Sequence, residues 1–154
     1  MRVASIGIVV GIIGIIVLGI FNSSFAAEPH ELSVDTRQRL VLAPAQRYMM
    51  LAEMRQMLGS VNGILQGLAT GDLPVAEKAA RATGMTGSVD VNPHIKARLP
   101  QQFLEWAMRT HRGFDMLADR IHAGSSQTDI IRELATLTGN CVACHAIYRL
   151  DEAR

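Results

Sequence analysis

The chain has 154 residues, with 15 Lys and Arg against 14 Asp and Glu and a formal net charge of +1 at pH 7. This length holds one domain around one core, and the balanced charge gives no reason to expect binding to nucleic acid or to an anionic membrane surface. The apolar character of the whole chain comes largely from its first residues, so it does not place the rest in a membrane.

Residues 1–26 have the pattern of an export signal. Arg2 gives a short positive start, residues 3–21 are an uncharged apolar run, and Ser24 and Ala26 put small residues at the −3 and −1 positions of a cleavage site after Ala26. The run is nearly as long as the ~20 residues that span a bilayer, so an uncleaved membrane anchor stays open as the alternative. Arg2 stays on the cytoplasmic side in both cases, and the rest of the chain is exported.

Residues 27–43 form a polar lead-in, in which we expect at most a helical turn over about residues 35–42. Pro44 then begins the first long helix, which Gly71 and Asp72 end. Between these limits the apolar residues fall at the i, i+3, i+4 and i+7 positions of an amphipathic helix. They are Met50, Leu51, Met54, Met57, Leu58, Val61, Ile64, Leu65 and Leu68.

Three further helices are predicted in the rest of the chain. A short one runs from Leu73 to about Thr83 and is followed by a loop over 84–97, and a third lies between Pro100 and Ala123. The last helix begins after Ser126. Its inner face is predicted to consist of Ile130, Ile131, Leu134, Leu137, Cys141, Cys144, His145 and Tyr148.

No run shows the alternation of apolar and polar residues that is typical of a strand. We therefore expect an all-α fold, an antiparallel four-helix bundle over residues 44–154, because short connections favour antiparallel neighbours.

The only two cysteines of the chain lie in the run Cys141-Val142-Ala143-Cys144-His145. Two thiols three residues apart on a helix point the same way and can add to the two vinyl groups on one edge of a porphyrin. The adjacent histidine then lies under the iron as its proximal ligand. The motif predicts one haem c, bound covalently through Cys141 and Cys144, with His145 on the iron and the bundle around it.

Other interpretations of this motif fit the chain less well. A thioredoxin-like redox pair needs a βαβ setting, and half of a zinc site needs more Cys or His at ligand spacing. A disulfide between residues three apart on one helix strains disulfide geometry. A chance occurrence stays an alternative, but the motif uses the only cysteines of an exported chain. Covalent haem attachment takes place outside the cytoplasm in bacteria, which predicts a periplasmic protein.

An exported, all-helical chain with one C-x-x-C-H on its last helix, followed by Tyr148-Arg149, resembles the class II cytochromes c. These are the cytochrome c′ group and its low-spin relatives. The resemblance covers roughly Ala45 to the C-terminus and is carried by "CHAIYR", with "GILQGLATGDLP" as looser support. It implies a four-helix bundle around one haem c, although the second helix and the loop after it are shorter than is usual in cytochrome c′.

The resemblance leaves the sixth iron ligand to be assigned. In the low-spin relatives a methionine of the first helix binds the iron opposite the histidine, whereas an apolar side chain blocks that place in cytochrome c′. Met54 matches the ligand position with a one-residue shift, since a gapless comparison places Arg55 there. Met54 also lies at the centre of the apolar stripe, between Met50 and Met57, and Met49 faces away.

Methionines at helical spacing are usually core residues, so other ligand sets stay open. Met50 or Met57 could bind the iron, or the sixth position could be empty. His111 of the third helix is a further candidate, although a buried histidine bonded to a backbone carbonyl or a haem propionate is the simpler interpretation.

With Met54 on the iron, we expect an electron carrier and not an enzyme, which meets its redox partner proteins through small, transient contacts. With an empty sixth position, an apolar pocket of Met50, Met54, Leu58 and the third helix would admit nitric oxide or carbon monoxide. Peroxidase-like chemistry is a weaker third alternative, with His111 as the candidate acid–base group.

Several aromatic and basic residues are expected near the haem. Tyr148 and Arg149 are predicted beside its edge or its propionates, and Trp106 and Phe114 against the porphyrin or the core. Pairing into a homodimer, as in many cytochromes c′, stays open. Attachment to a membrane requires that the N-terminal segment is not cleaved.

Overall fold

A computed structural model of the chain describes residues 34–86 and 93–153. In chain order these contain the strand β1 (Gln38–Leu42), the helices α1 (Pro44–Thr70), α2 (Leu73–Arg81), α3 (Pro93–Lys96), α4 (Gln101–His122) and α5 (Gln127–Ile147), and the strand β2 (Tyr148–Glu152). The predicted export signal lies outside the described residues, as do the first part of the lead-in and residues 87–92 of the predicted loop. No helix within the described ranges is long and apolar enough to cross a membrane.

The starts of the four longer helices and the end of α1 follow from local signals, and their prediction is confirmed. α1 ends where Gly71 takes a left-handed conformation, with φ of 72°, which suits a residue without a Cβ atom. At the start of α2 the Asp72 carboxylate accepts a hydrogen bond from the Val75 amide at 3.1 Å. Ser126 Oγ accepts one from the Asp129 amide at 3.2 Å at the start of α5. Both are N-caps that satisfy an otherwise unpaired amide.

The four long helices pack in sequence, with α1 on α2, α2 on α4 and α4 on α5. A Cβ atom at Gly67 would come 2.6 Å from the Ala76 amide nitrogen, so glycine permits the close approach of α1 to α2. The core of this helical part, here called the helix core, is formed by Ile64, Leu68, Ala76, Ala80, Phe114, Leu117, Ala118, Ile121, Ile130, Leu134 and Leu137.

The two strands correct the prediction of a purely helical fold. β1 and β2 pair in parallel, with Leu40 opposite Leu150, and β1 replaces the helical turn expected over residues 35–42. The last helix ends at Ile147, so Tyr148 lies on a strand and not on the helix. Each strand has only five residues, and Leu40, Val41 and Leu42 of β1 are consecutive apolar residues, so β1 lacks the alternation of a strand. Each partner also lies at the other end of the described chain, where no local pattern can indicate it.

The strands cover a second apolar cluster, here called the strand-end core. It contains Leu40, Leu42, Leu99, Phe103 and Tyr148. The Tyr148 ring stands edge-on to Phe103, with ring centres 5.5 Å apart, an arrangement that aromatic quadrupoles favour. The parallel register puts Gln38 opposite Tyr148, so the start of β1 lies beside the end of α5, and α1 begins at the other end of the sheet, beside Glu152.

Candidate functional site

A groove of about 220 Å³ opens between α1, the end of α5 and β2. It is lined by Arg37, Leu51, Met54, Phe103, Cys144, His145, Tyr148, Arg149 and Leu150. Within the described residues, α1 and α5 pack less closely on each other than the sequential helix pairs do, which leaves room for the groove. The fold thus brings Met54 to the same groove as Cys144 and His145, although these residues come from opposite ends of the described chain.

The two cysteines lie one turn apart on α5, and both are free and half-buried. Burial raises the pKa of the Cys141 thiol and of the Cys144 thiol, and the neighbouring Cys141 raises that of Cys144 further. Both are therefore held as thiols at neutral pH. Cys144 lines the groove, and Cys141 lies one turn further back along the helix.

His145 has an exposed side chain, which corrects its assignment to the inner face of the last helix. It lies near the end of α5, where the helix gives way to β2 and no following turn covers it. Arg37 Nη1 donates a hydrogen bond to the His145 carbonyl oxygen at 3.2 Å. Arg37 was not found by sequence reasoning, because its place beside the motif depends on the pairing of β1 with β2. Ile131, also assigned to that inner face, is 43% exposed.

Tyr148 and Arg149 close the groove on the side of β2. The Tyr148 hydroxyl donates to Oε1 of Gln102 at 3.2 Å, and its ring belongs to the strand-end core. Arg149 Nε lies 3.6 Å from Oδ1 of Asp151. Arg37 and Arg149 thus place positive charge beside an apolar wall that contains Leu51.

The methionines of α1 take different environments. Met54 is half-buried and lines the groove. Met50 packs against the strand-end core and Met57 against the helix core, while Met49 is 49% exposed, as predicted. Leu58, which was predicted in the pocket, is 69% exposed and does not line the groove. It lies one turn further along α1, where α5 does not pack closely.

His111 and Phe114 lie in the interior and not at the groove. Phe114 is 1% exposed within the helix core. His111 Nδ1 is 2.7 Å from the Thr83 carbonyl oxygen, and its Nε2 is 3.3 Å from Oε1 of Glu53. The hydrogen bond to Glu53, supported by the one to Thr83, raises the pKa of His111 although burial opposes it. This is the simpler of the two interpretations of His111, a buried histidine bonded to a backbone carbonyl.

A larger depression of about 370 Å³ lies beside the strands and is lined by Arg39, Arg47, Leu150, Asp151 and Glu152. In it Arg39 already binds the Asp151 carboxylate, and Arg47 Nε donates to the Leu150 carbonyl oxygen at 3.2 Å. Within 34–86 and 93–153, no three His, Cys, Asp or Glu side chains group as a metal-ion site requires. The groove with the Cys-x-x-Cys-His motif is the stronger candidate site.

A scan against protein-family models found no match, and searches of curated proteins and of solved structures found no significant match. The fold is a mostly helical domain of four sequentially packed helices and a small parallel sheet. Its candidate site is a groove at the end of the last helix that combines thiol, imidazole and thioether groups.

Proposed function

We propose that the protein is a periplasmic c-type cytochrome of class II that carries single electrons. It would hold one haem c through Cys141 and Cys144, with His145 and Met54 as iron ligands in an antiparallel bundle. The observation that carries the proposal is the groove, which places Met54 with Cys144 and His145. The C-x-x-C-H motif supplies a histidine beside the second thiol, and a methionine would be a suitable second iron ligand for a low-spin carrier.

The residues of the groove fit this group. The thiols are unpaired, the His145 side chain is exposed, and Met54 presents a thioether from another helix. The groove volume of about 220 Å³ is below the roughly 300–1,000 Å³ of pockets that hold a whole organic ligand. We therefore expect the haem to widen the loosely packed boundary between α1 and α5.

When bound, the haem supplies reversible one-electron exchange, and a His/Met ligand pair raises its reduction potential. The polypeptide itself would hold the haem, orient it and shield it from water. Leu51, Phe103 and Tyr148 would provide apolar walls that exclude water from the haem. Arg37 and Arg149 would provide positive charge for the haem propionates at the rim of the groove.

Electron exchange with a partner protein needs one haem edge near the surface and a small, transient contact between the two proteins. The exposed side chain of His145 supports a haem edge near the surface. No step of this function needs an acid, a base or a nucleophile, so the protein would act as a carrier and not as an enzyme.

The second candidate function is binding of nitric oxide or carbon monoxide at five-coordinate iron. The observation that favours it is the apolar lining of the groove by Leu51 and Phe103 beside Met54, since a small apolar ligand could enter there. The two functions differ in whether Met54 is bound to the iron.

Haem attachment is tested by the mass of the mature protein after expression with a cytochrome c maturation system. We expect the mass of one haem in addition to the polypeptide, retained after denaturation. The Cys141→Ser/Cys144→Ser variant is the matched control and should lack it. A mature protein without the added mass would contradict the proposal, and the same spectrum shows whether the chain begins after Ala26.

A further inference from the structure

A buried polar pair lies between α1 and α4, outside the groove. The side chains of Glu53 and His111 are 13% and 6% exposed, and Nε2 of His111 is 3.3 Å from Oε1 of Glu53. His111 Nδ1 donates to the Thr83 carbonyl oxygen at 2.7 Å. Burial of such groups costs free energy unless they are paired and hydrogen-bonded. The Glu53 carboxylate therefore favours the rotation of α1 in which it stays paired with the His111 imidazole.

The same side of α1 carries two further polar contacts. Gln56 Nε2 donates to the Ala82 carbonyl oxygen at 2.9 Å, and the buried hydroxyl groups of Ser60 and Thr83 share a hydrogen bond. Glu53, Gln56 and Ser60 are three and four residues apart, which puts them on one face of the helix. That face is bonded to the end of α2 and to α4 through directional contacts.

Met54 follows Glu53 in the chain and therefore lies about 100° further round α1. Rotation of the helix by one residue would bring Glu53 or Arg55 to the groove in place of Met54. Near Met54 apolar packing resists this weakly, because the flexible side chains of Met50 and Met57 can fill gaps of varied shape, and the rigid apolar contacts of Ile64 and Leu68 lie further along the helix. A fully bonded polar network specifies one arrangement much more strongly.

We propose that Glu53 and His111 are positioning residues for Met54, because their buried pair between α1 and α4 fixes the rotation of α1 that points Met54 into the groove. The inference rests on the proposed function, since it requires Met54 as an iron ligand. Neither residue would contact the iron.

The test is carbon monoxide binding by the reduced, full-length holoprotein, together with the absorption signature of methionine sulfur on ferric iron. We expect Glu53→Ala and His111→Ala to weaken that signature and to increase carbon monoxide binding by about tenfold, the effect of about one buried hydrogen bond on the equilibrium between ligated and open iron. Glu53→Gln should restore wild-type behaviour, because its side-chain amide N–H can donate to Nε2 of a neutral His111 whose Nδ1–H still donates to Thr83.

The matched control is Leu117→Ala. Leu117 is 0% exposed in the helix core, so its truncation lowers stability without touching the network. We expect this variant to keep the sulfur signature and to exclude carbon monoxide. An equal effect of Leu117→Ala would mean that loss of stability alone opens the iron, which would overturn the positioning role.

Two further outcomes separate the inference from the proposed function. Wild-type protein that excludes carbon monoxide, with Glu53→Ala and His111→Ala variants that also exclude it, would overturn the inference and leave the function intact. Wild-type protein that binds carbon monoxide freely would overturn both. If neither alanine variant accumulates, Glu53→Asp decides, because its shorter side chain must strain or lose the bond to His111 and should raise carbon monoxide binding.

Discussion

Met54 is the residue on which the choice between electron transfer and gas binding depends. We expect Met54→Ala to lower the reduction potential and to open the iron to carbon monoxide, because a thioether opposite imidazole favours ferrous iron. Met49→Ala is the control, since Met49 is 49% exposed on another side of the same helix, and it should change neither property. A redox titration measures the first effect. An unchanged potential in Met54→Ala would favour the gas-binding function.

His111 should make the stability of the protein depend on pH near neutrality. Its pKa in the folded protein is raised, first by the hydrogen bond to Glu53. The stabilisation is therefore fully present below the ordinary histidine pKa of about 6.5 and is lost as the pH rises through the raised value. We expect the free energy of unfolding in urea to fall over this window, and to fall less in His111→Gln. Equal slopes in the two proteins would contradict this account of the pair.

At the scale of elements, two glycines of α1 should respond to the same substitution with opposite signs. A Cβ atom at Gly67 would approach the Ala76 nitrogen to 2.6 Å, whereas nothing lies within 4 Å of one at Gly59. We expect Gly67→Ala to destabilise the protein by about 1–3 kcal/mol, as overpacking does. Gly59→Ala should stabilise it by about 0.5–1 kcal/mol, because glycine is unfavourable within a helix. The melting temperatures of both variants measure the difference. Equal shifts in melting temperature would mean that the close contact between α1 and α2 does not lie at Gly67.

The helices could be predicted from the sequence because their signals are local. The stop at Gly71 and the caps at Asp72 and Ser126 act within a few residues of themselves. β1 could not be predicted in this way, because what stabilises it is its pairing with β2 and the burial of Leu40 and Leu42 in the strand-end core. A contact between the two ends of the described chain has no local signature.

The residues of the candidate site could be predicted where a sequence motif identifies them, but not where their role depends on how the helices and strands pack. The C-x-x-C-H run indicated Cys141, Cys144 and His145 directly, and Met54 was indicated by the resemblance to the class II cytochromes c together with its place at the centre of an apolar stripe. The stripe alone could not tell that Leu58 is exposed, because this depends on which part of α1 another element covers. Arg37 was missed for the same reason as β1.

At the scale of the whole molecule, two apolar cores divide the protein. The helix core contains the later part of α1 and the earlier part of α5, and the strand-end core joins β1, β2 and the start of α4. Met54, Cys144 and His145 line one groove between α1, the end of α5 and β2. The small sheet pairs the segment before α1 with the segment after α5, and thus ties the two ends of the described chain together beside the proposed site.

The measurement that tests the central claim most directly is the visible absorption spectrum of the purified wild-type protein, reduced with dithionite, before and after addition of carbon monoxide. A sharp low-spin spectrum that does not change with carbon monoxide is the expected result, because Met54 and His145 would occupy both axial positions. A broad high-spin spectrum that sharpens when carbon monoxide is added would contradict the electron-carrier account and identify an open iron.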